Sequence, residues 1–237
     1  MKLSAPVFKL KHQAKQLSKR NGIRLHQALD AVAAQEGFSS WSMLAAKFPK
    51  HRPGQKILNE LSPGEMILLG ARPGHGKTIL GLEVVALSSM HKNHGCFFTL
   101  EYNRDEVIDR IGQLGFEFDE LRHTVFVDTS EQISADYIIR ALTVLPANPI
   151  VVIDYLQLLD QKRTSPDLSQ QLQELKHFAA KQGICMIFIS QVHRSFDLSR
   201  RRFPGLDDIR LPNPVDLGVF NKACFVHNRE FVCNPLQ

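Results

Sequence analysis

The chain has 237 residues, 43% apolar and 22% charged, with a formal net charge of +5. That length suits one large domain, or one domain plus a small module. The composition is that of a folded globular protein, and no apolar run approaches the roughly 20 residues of a membrane span, which argues against a helical membrane protein.

The charge is uneven. Residues 1–60 hold eleven Lys and Arg against three Asp and Glu, a balance of +8 that leaves −3 for the remainder. A basic front module suggests an anionic partner, most commonly nucleic acid, although a solvated helix face gives the same pattern. The first 20 residues lack the apolar core of a secretory signal. Cys96, Cys185, Cys224 and Cys233 form no CxxC pair, so reduced core thiols in a cytoplasmic protein are expected.

From the N-terminus, Leu10, Ala14 and Leu17 recur at helical spacing until Asn21-Gly22, a stop signal. Leu25, Ala28, Leu29 and Val32 form the apolar stripe of a second helix, which Gly37 ends. Ser39 to Ala46 reads as a third short helix with Trp41 and Leu44 turned inward. The three make a small bundle over residues 1–50, open to two readings: a helix-turn-helix, or a docking module. No helix rich in Arg, Asn or Gln marks it as a base reader. Residues 51–56 read as a linker around Pro53-Gly54.

From 57 to 237 strands and helices alternate. Strand-like runs fall at 66–70, 96–100, 124–128, 149–154 and 184–190. Helix-like runs fall near 78–90, 103–114, 134–145 and 166–182. Asn103 with Glu106 reads as a capping box, and Ser165-Pro166 as a cap followed by proline. The strands are continuously apolar, as in a parallel sheet covered on both faces. An α/β domain with a parallel sheet core behind a small all-α module is the expected architecture.

Gly70, Ala71, Arg72, Pro73, Gly74, His75, Gly76, Lys77 and Thr78 lie between the first strand and its helix, the context of a phosphate-binding loop. Glycines let the backbone approach phosphates, and the new helix's N-terminus faces their charge. Lys77 is placed to reach the β- and γ-phosphates of ATP, and the Thr78 hydroxyl to bind Mg²⁺. The strand 150–154 ends in Asp154, a second Mg²⁺ ligand. The strand 96–100 runs into Glu101, a candidate general base for the attacking water. Gln191 closes the last core strand, where it could sense the γ-phosphate or merely leave the core. Two basic stretches follow these strand ends: Lys162 and Arg163, then Arg194 with Arg200, Arg201 and Arg202. They read as solvated loops or, as the resemblance described next implies, as loops that face single-stranded DNA and contact its phosphates.

Ala71 to Thr78, Thr99-Leu-Glu101, Asp154-Tyr-Leu-Gln-Leu-Leu159, Ser190-Gln-Val-His-Arg194 and Gly205-Leu-Asp-Asp-Ile-Arg210 together resemble DnaB-type replicative helicases. The resemblance covers about residues 57–220, the RecA-like motor domain of that family. It implies a RecA-like fold, ATP hydrolysis with Mg²⁺, single-stranded DNA binding and a hexameric ring. It also gives Glu101, Asp154 and Gln191 the catalytic, Walker B and phosphate-sensing roles. The family's late strand with a Lys-x-Arg finger has no counterpart after the hairpin expected at 222–233. The rival expectation is a nucleotide-dependent switch or adaptor that recruits a partner without unwinding.

Overall fold

The computed structural model describes residues 3–5, 7–47, 52–90, 93–145, 149–156, 159, 166–199, 201–211, 213, 215–227 and 230–236. Three helices come first: α1 (Val7–Asn21), α2 (Leu25–Gln35) and α3 (Trp41–Lys47). Then follow α4 (Pro53–Glu60), β1 (Met66–Ala71), α5 (Lys77–Met90), β2 (Gly95–Thr99), α6 (Arg104–Gln113) and α7 (Phe118–Leu121). The chain continues through β3 (Val125–Asp128), α8 (Ala135–Thr143), β4 (Ile150–Asp154), α9 (Leu168–Gln182), β5 (Cys185–Gln191), β6 (Lys222–His227) and β7 (Glu230–Pro235).

The chain divides into two compact units, residues 1–52 with 108–120, and residues 53–107 with 121–237. In the first, Leu10 and Ala14 of α1 meet Ala28, Val32 and Ala33 of α2, with Phe38 and Leu44 closing the core. These are the stripes that the helical spacing exposes in the sequence. Gly22 and Gly37 take positive φ, 64° and 81°, so each reverses the chain where a side chain would strain it. Segment 108–120 joins this unit, which its sequence does not announce. Glu117 ion-pairs with Lys15, and Arg52 lies 4.3 Å above the Phe116 ring.

The second unit is built on one sheet of order β3-β2-β4-β5-β1-β6-β7. Its strands pair in parallel except β7, which returns antiparallel to β6. Helices cover both faces, which is why the strands read as unbroken apolar runs. Phe98, Val151, Ile153, Met186 and Phe188 share a core with Ile138 and Leu142 of α8 and Leu172 and Leu175 of α9. The opposite face receives α5, which approaches closely because Gly81 has no side chain. A Cβ there would stand 2.9 Å from Ile189 and Val152.

Local signals behave as expected at α6, where Asn103 and Glu106 exchange reciprocal hydrogen bonds of 2.9 and 3.0 Å. They mislead at two other helices. The cap of α9 is Asp167, whose carboxylate accepts the Gln170 N–H at 2.8 Å, while Ser165 lies outside the described residues. The stretch 51–56, read as a linker, contains the start of α4. Pro53 suits a first helical turn, and the Gly54 N–H is capped from a distance by the buried Glu83 carboxylate at 2.7 Å.

The cysteines also need correction. Cys96 and Cys185 are free and buried, and burial pushes the Cys96 thiol up to about 12. Cys224 and Cys233, expected as reduced thiols, are joined by a disulfide, because the β6–β7 register sets them directly opposite each other. No described helix is long and apolar enough to cross a membrane.

Candidate functional site

The strand register brings the chemistry to one edge of the sheet. Thr99 pairs with Asp154, Asp154 with Ile189, Gly70 with Ser190 and Ala71 with Gln191. The carboxyl ends of β1, β2, β4 and β5 therefore converge, the place where ligands bind in open α/β sheets. Gly70 and Ala71 belong to β1, and the loop proper is 72–76. Gly74 and Gly76 hold φ near 80°, with nothing within 4 Å of either missing Cβ. The His75 N–H bonds the Arg72 carbonyl at 3.1 Å, and the Leu80 N–H bonds the Gly76 carbonyl at 2.9 Å, opening α5. The loop so leads directly into a helix N-terminus, a ready anion site.

Lys77 and Thr78 begin α5 and are buried, an unusual place for an ammonium group. The nearest counter-charge is Glu101, with its carboxylate 3.9 Å from the Lys77 Nζ. Glu101 itself is anchored through its N–H, which donates to the fully buried Thr99 hydroxyl at 3.1 Å. Sequence reasoning assigns Thr99 no role of its own; its place two residues before an acid at a strand end is the signal that could have found one.

Asp154 is the most telling group. It is fully buried at the end of β4, and neither carboxylate oxygen has a hydrogen-bond partner among the described residues. Burial drives its carboxyl up to about 6. The Thr78 hydroxyl and the Lys77 ammonium oppose the rise, and Glu101 adds to it. Thr78 is near enough to lower the value but does not meet hydrogen-bond geometry. A buried, unsatisfied carboxylate is costly and wants a cation. With the Thr78 hydroxyl beside it, this donor set fits Mg²⁺, a hard cation that takes few protein ligands and completes its shell with waters and nucleotide phosphates. No cluster of three His, Cys, Asp or Glu suited to a metal occurs among the described residues.

Arg72 and His75 point the loop toward other partners. The Arg72 guanidinium makes a two-pronged bond to Asp197, at 2.9 and 2.6 Å, and a third bond to the Val192 carbonyl at 3.2 Å. The His75 ring stacks on His227 with centroids 5.4 Å apart, and Phe196 meets the same His227 edge-on at 5.1 Å. Gln191 is half-buried at the end of β5, and its carbonyl accepts the Arg210 N–H at 2.7 Å.

The basic stretch after β5 is only partly free. Arg194 is exposed on a 3-10 turn, Arg194–Leu198. Arg201 grips both oxygens of the buried Asp208 at 2.7 and 2.8 Å. Arg202 pairs with Glu230 at 3.1 and 3.0 Å across an exposed surface. Lys162, Arg163 and Arg200 lie outside the described residues, as do Gln157 and Leu158.

A parallel sheet with a phosphate loop after its first strand, and with β5 between that strand and the acid-bearing β4, defines a RecA-like P-loop ATPase domain. A family model for the KaiC ATPase matches residues 55–207. The chain belongs to that family. Among curated proteins it is 25% identical over 192 residues to the replicative DNA helicase DnaB of Leifsonia xyli subsp. xyli, covering 68% of this chain and 42% of that protein. The chain thus spans less than half the length of this relative. Among solved structures it resembles a DnaB-like replicative helicase whose interactions with primase were studied. There the TM-score is 0.60 at 19% identity, over 90% of this chain and 64% of the other. It also resembles a KaiC-like protein from the hyperthermophilic archaeon Pyrococcus horikoshii, with a TM-score of 0.56 at 16% identity over 76% of this chain and 84% of the other.

Proposed function

We propose that this chain hydrolyses ATP to ADP and phosphate with Mg²⁺, and couples the cycle to single-stranded DNA as a DnaB-like helicase or translocase. The observation that carries the chemistry is Asp154, buried and unsatisfied beside Thr78 and Lys77 at the mouth of a glycine loop. Lys77 and the loop amides bind the β- and γ-phosphates. Thr78 and Asp154 hold Mg²⁺, which when bound neutralises charge developing on the phosphates. Glu101 takes the proton of the attacking water, and Gln191 bonds the γ-phosphate oxygens. In the described state Glu101 faces Lys77, so ATP draws Lys77 to the phosphates and frees the base. The exposed Arg194 and the basic residues around 200 supply sequence-tolerant phosphate contacts. Residues 1–50, expected as a separate basic module, act with segment 108–120 as a unit distinct from the ATPase domain built by 53–107 and 121–237. The names of the relatives support the helicase reading, and a homo-oligomeric ring follows from it.

A nucleotide-dependent switch is the second reading, and one observation favours it: Arg201 and Arg202 are already engaged by Asp208 and Glu230. Measuring ATP turnover with and without single-stranded DNA, together with particle mass in ATP, separates the two. DNA-stimulated turnover in a ring supports the motor, whereas slow, unstimulated turnover in a monomer supports the switch. A protein that binds no ATP overturns both.

A further inference from the structure

Arg72 occupies a loop position that would ordinarily be assigned to phosphate binding, yet all three of its guanidinium nitrogens are engaged elsewhere. Nε and Nη2 hold the two Asp197 oxygens at 2.9 and 2.6 Å, and Nη1 holds the Val192 carbonyl at 3.2 Å. Val192 is the residue after Gln191. It is gripped from both sides, because its own N–H donates to the Ala71 carbonyl at 3.0 Å. The last residue of β1, Ala71, and the first of the loop, Arg72, thus both hold the exit of β5. A second, independent contact joins the same parts: His75 stacks on His227, and Phe196, inside the turn that carries Asp197, packs on His227.

We infer that Arg72 is a positioning residue for Gln191 and not a phosphate ligand: with Asp197 it locks the end of β5 onto the phosphate loop, so that the Gln191 carboxamide is held at a fixed distance from the γ-phosphate. The inference rests on the phosphate-loop and sensor roles proposed above. A two-pronged guanidinium–carboxylate pair fixes orientation as well as distance, which an ammonium does not. Misplacing a group that acts on the transition state by about 1 Å costs as much as 10²-fold in rate. Loss of the clamp therefore lowers turnover while leaving ground-state nucleotide binding to Lys77 and the loop amides.

The test uses the full chain with Asp197→Ala, Asp197→Glu, Arg72→Lys, Arg72→Ala and Gln191→Ala, plus the double variant Arg72→Ala/Gln191→Ala. Affinity for a slowly hydrolysed ATP analogue is measured beside kcat. Asp197→Ala and Arg72→Lys are expected to lose about 10- to 100-fold in kcat with affinity held within about twofold. Asp197→Glu is expected to recover most of the rate, and the double variant to be no slower than Gln191→Ala alone, since both act through one group. Three results overturn the inference: Arg72→Ala weakening nucleotide binding while Asp197→Ala is silent, additive losses in the double variant, or full turnover in Asp197→Ala. Failure of the underlying reading has its own mark, Lys77→Ala binding the analogue as tightly as the parent, and it overturns the inference with it. If Lys77→Ala loses binding while the clamp variants keep full turnover, the inference alone falls.

Discussion

The two compact units spend their interiors differently. The helical unit at the N-terminus is cored by Leu10, Ala14, Ala28, Val32, Ala33, Phe38 and Leu44, all apolar. Among described residues, every buried polar or charged side chain lies in the other unit, including Lys77, Thr78, Thr99, Asp154 and Ser190. Burying such groups costs free energy, and a fold carries that cost where chemistry needs it. The residues of the proposed site, Lys77, Thr78, Thr99 and Asp154, belong to that set, while Glu83 and Gln171 serve the fold by bonding backbone groups. The contrast also says that whatever the helical unit does, it does with its surface, where α1 displays Lys9, Lys19 and Arg20.

The strongest test of that contrast is Glu101→Gln. The amide keeps the shape and the N–H anchor to Thr99 but cannot take a proton. The expected result is unchanged nucleotide affinity with turnover down about 10²–10⁴-fold. Wild-type turnover would move the base elsewhere, with Asp154 next in line.

A core substitution in the helical unit should behave in the opposite way. Leu44 is fully buried, and Leu→Ala in a core costs about 2–5 kcal/mol, a large fraction of what a core of seven buried residues, three of them alanines, supplies. Leu44→Ala should melt α1–α3 and segment 108–120 as one unit, seen as lost protection in hydrogen exchange, with nucleotide affinity retained. Collapse of nucleotide binding in the same variant would show that the second unit depends on the first.

Asp154 gives a smaller effect with a distinctive sign. Its folded carboxyl titrates near 6, above the ordinary aspartate range, because burial disfavours the charge. Between about pH 4 and 6 the folded chain therefore holds a proton that the unfolded chain has lost. Stability from this group is present at the acid end and is lost as pH rises through 6, worth up to about 3 kcal/mol. In chelator and without nucleotide, Asp154→Asn should raise the melting temperature at pH 7.5 and flatten its pH dependence; assayed separately with ATP and Mg²⁺, it should abolish hydrolysis. A variant that melts lower at pH 7.5 would mean that the carboxylate is satisfied, and the Mg²⁺ argument would lose its footing.

What could be read from the sequence was what is local. The β-strands announced themselves because both faces are buried, and Asn103 and Glu106 cap α6 within one turn. The loop from Arg72 to Gly76 was legible for the same reason. What could not be read depends on distant partners. α4 looks broken at Pro53-Gly54 until Glu83 supplies its cap from 29 residues away. Arg72 belongs to the phosphate loop by sequence, but its bond to Asp197, 125 residues on, cannot be read locally. The Cys224–Cys233 pair needs the hairpin register, nine residues apart, before it makes sense.

The smallest expected effect discriminates between the two arginines that the sequence treated alike. Arg201 is bonded to a carboxylate that is itself buried and that also accepts the Gly205 N–H at 2.8 Å. Arg202 meets Glu230 with both side chains largely in solvent, 76% and 52% exposed. Exposed pairs of this kind contribute little to folding, and water and salt replace them readily. Arg202→Ala should therefore leave the melting curve unchanged. If Arg202 leaves Glu230 for a DNA phosphate, the substitution should also lower the slope of log affinity against log salt by about 0.7 on single strands. Arg201→Ala should instead lower the melting temperature, because Asp208 loses its counter-charge inside the fold. A salt slope unchanged in Arg202→Ala, with affinity intact, would assign this arginine to the surface alone. Arg194 would then be the first described basic residue after β5 to test as the DNA contact.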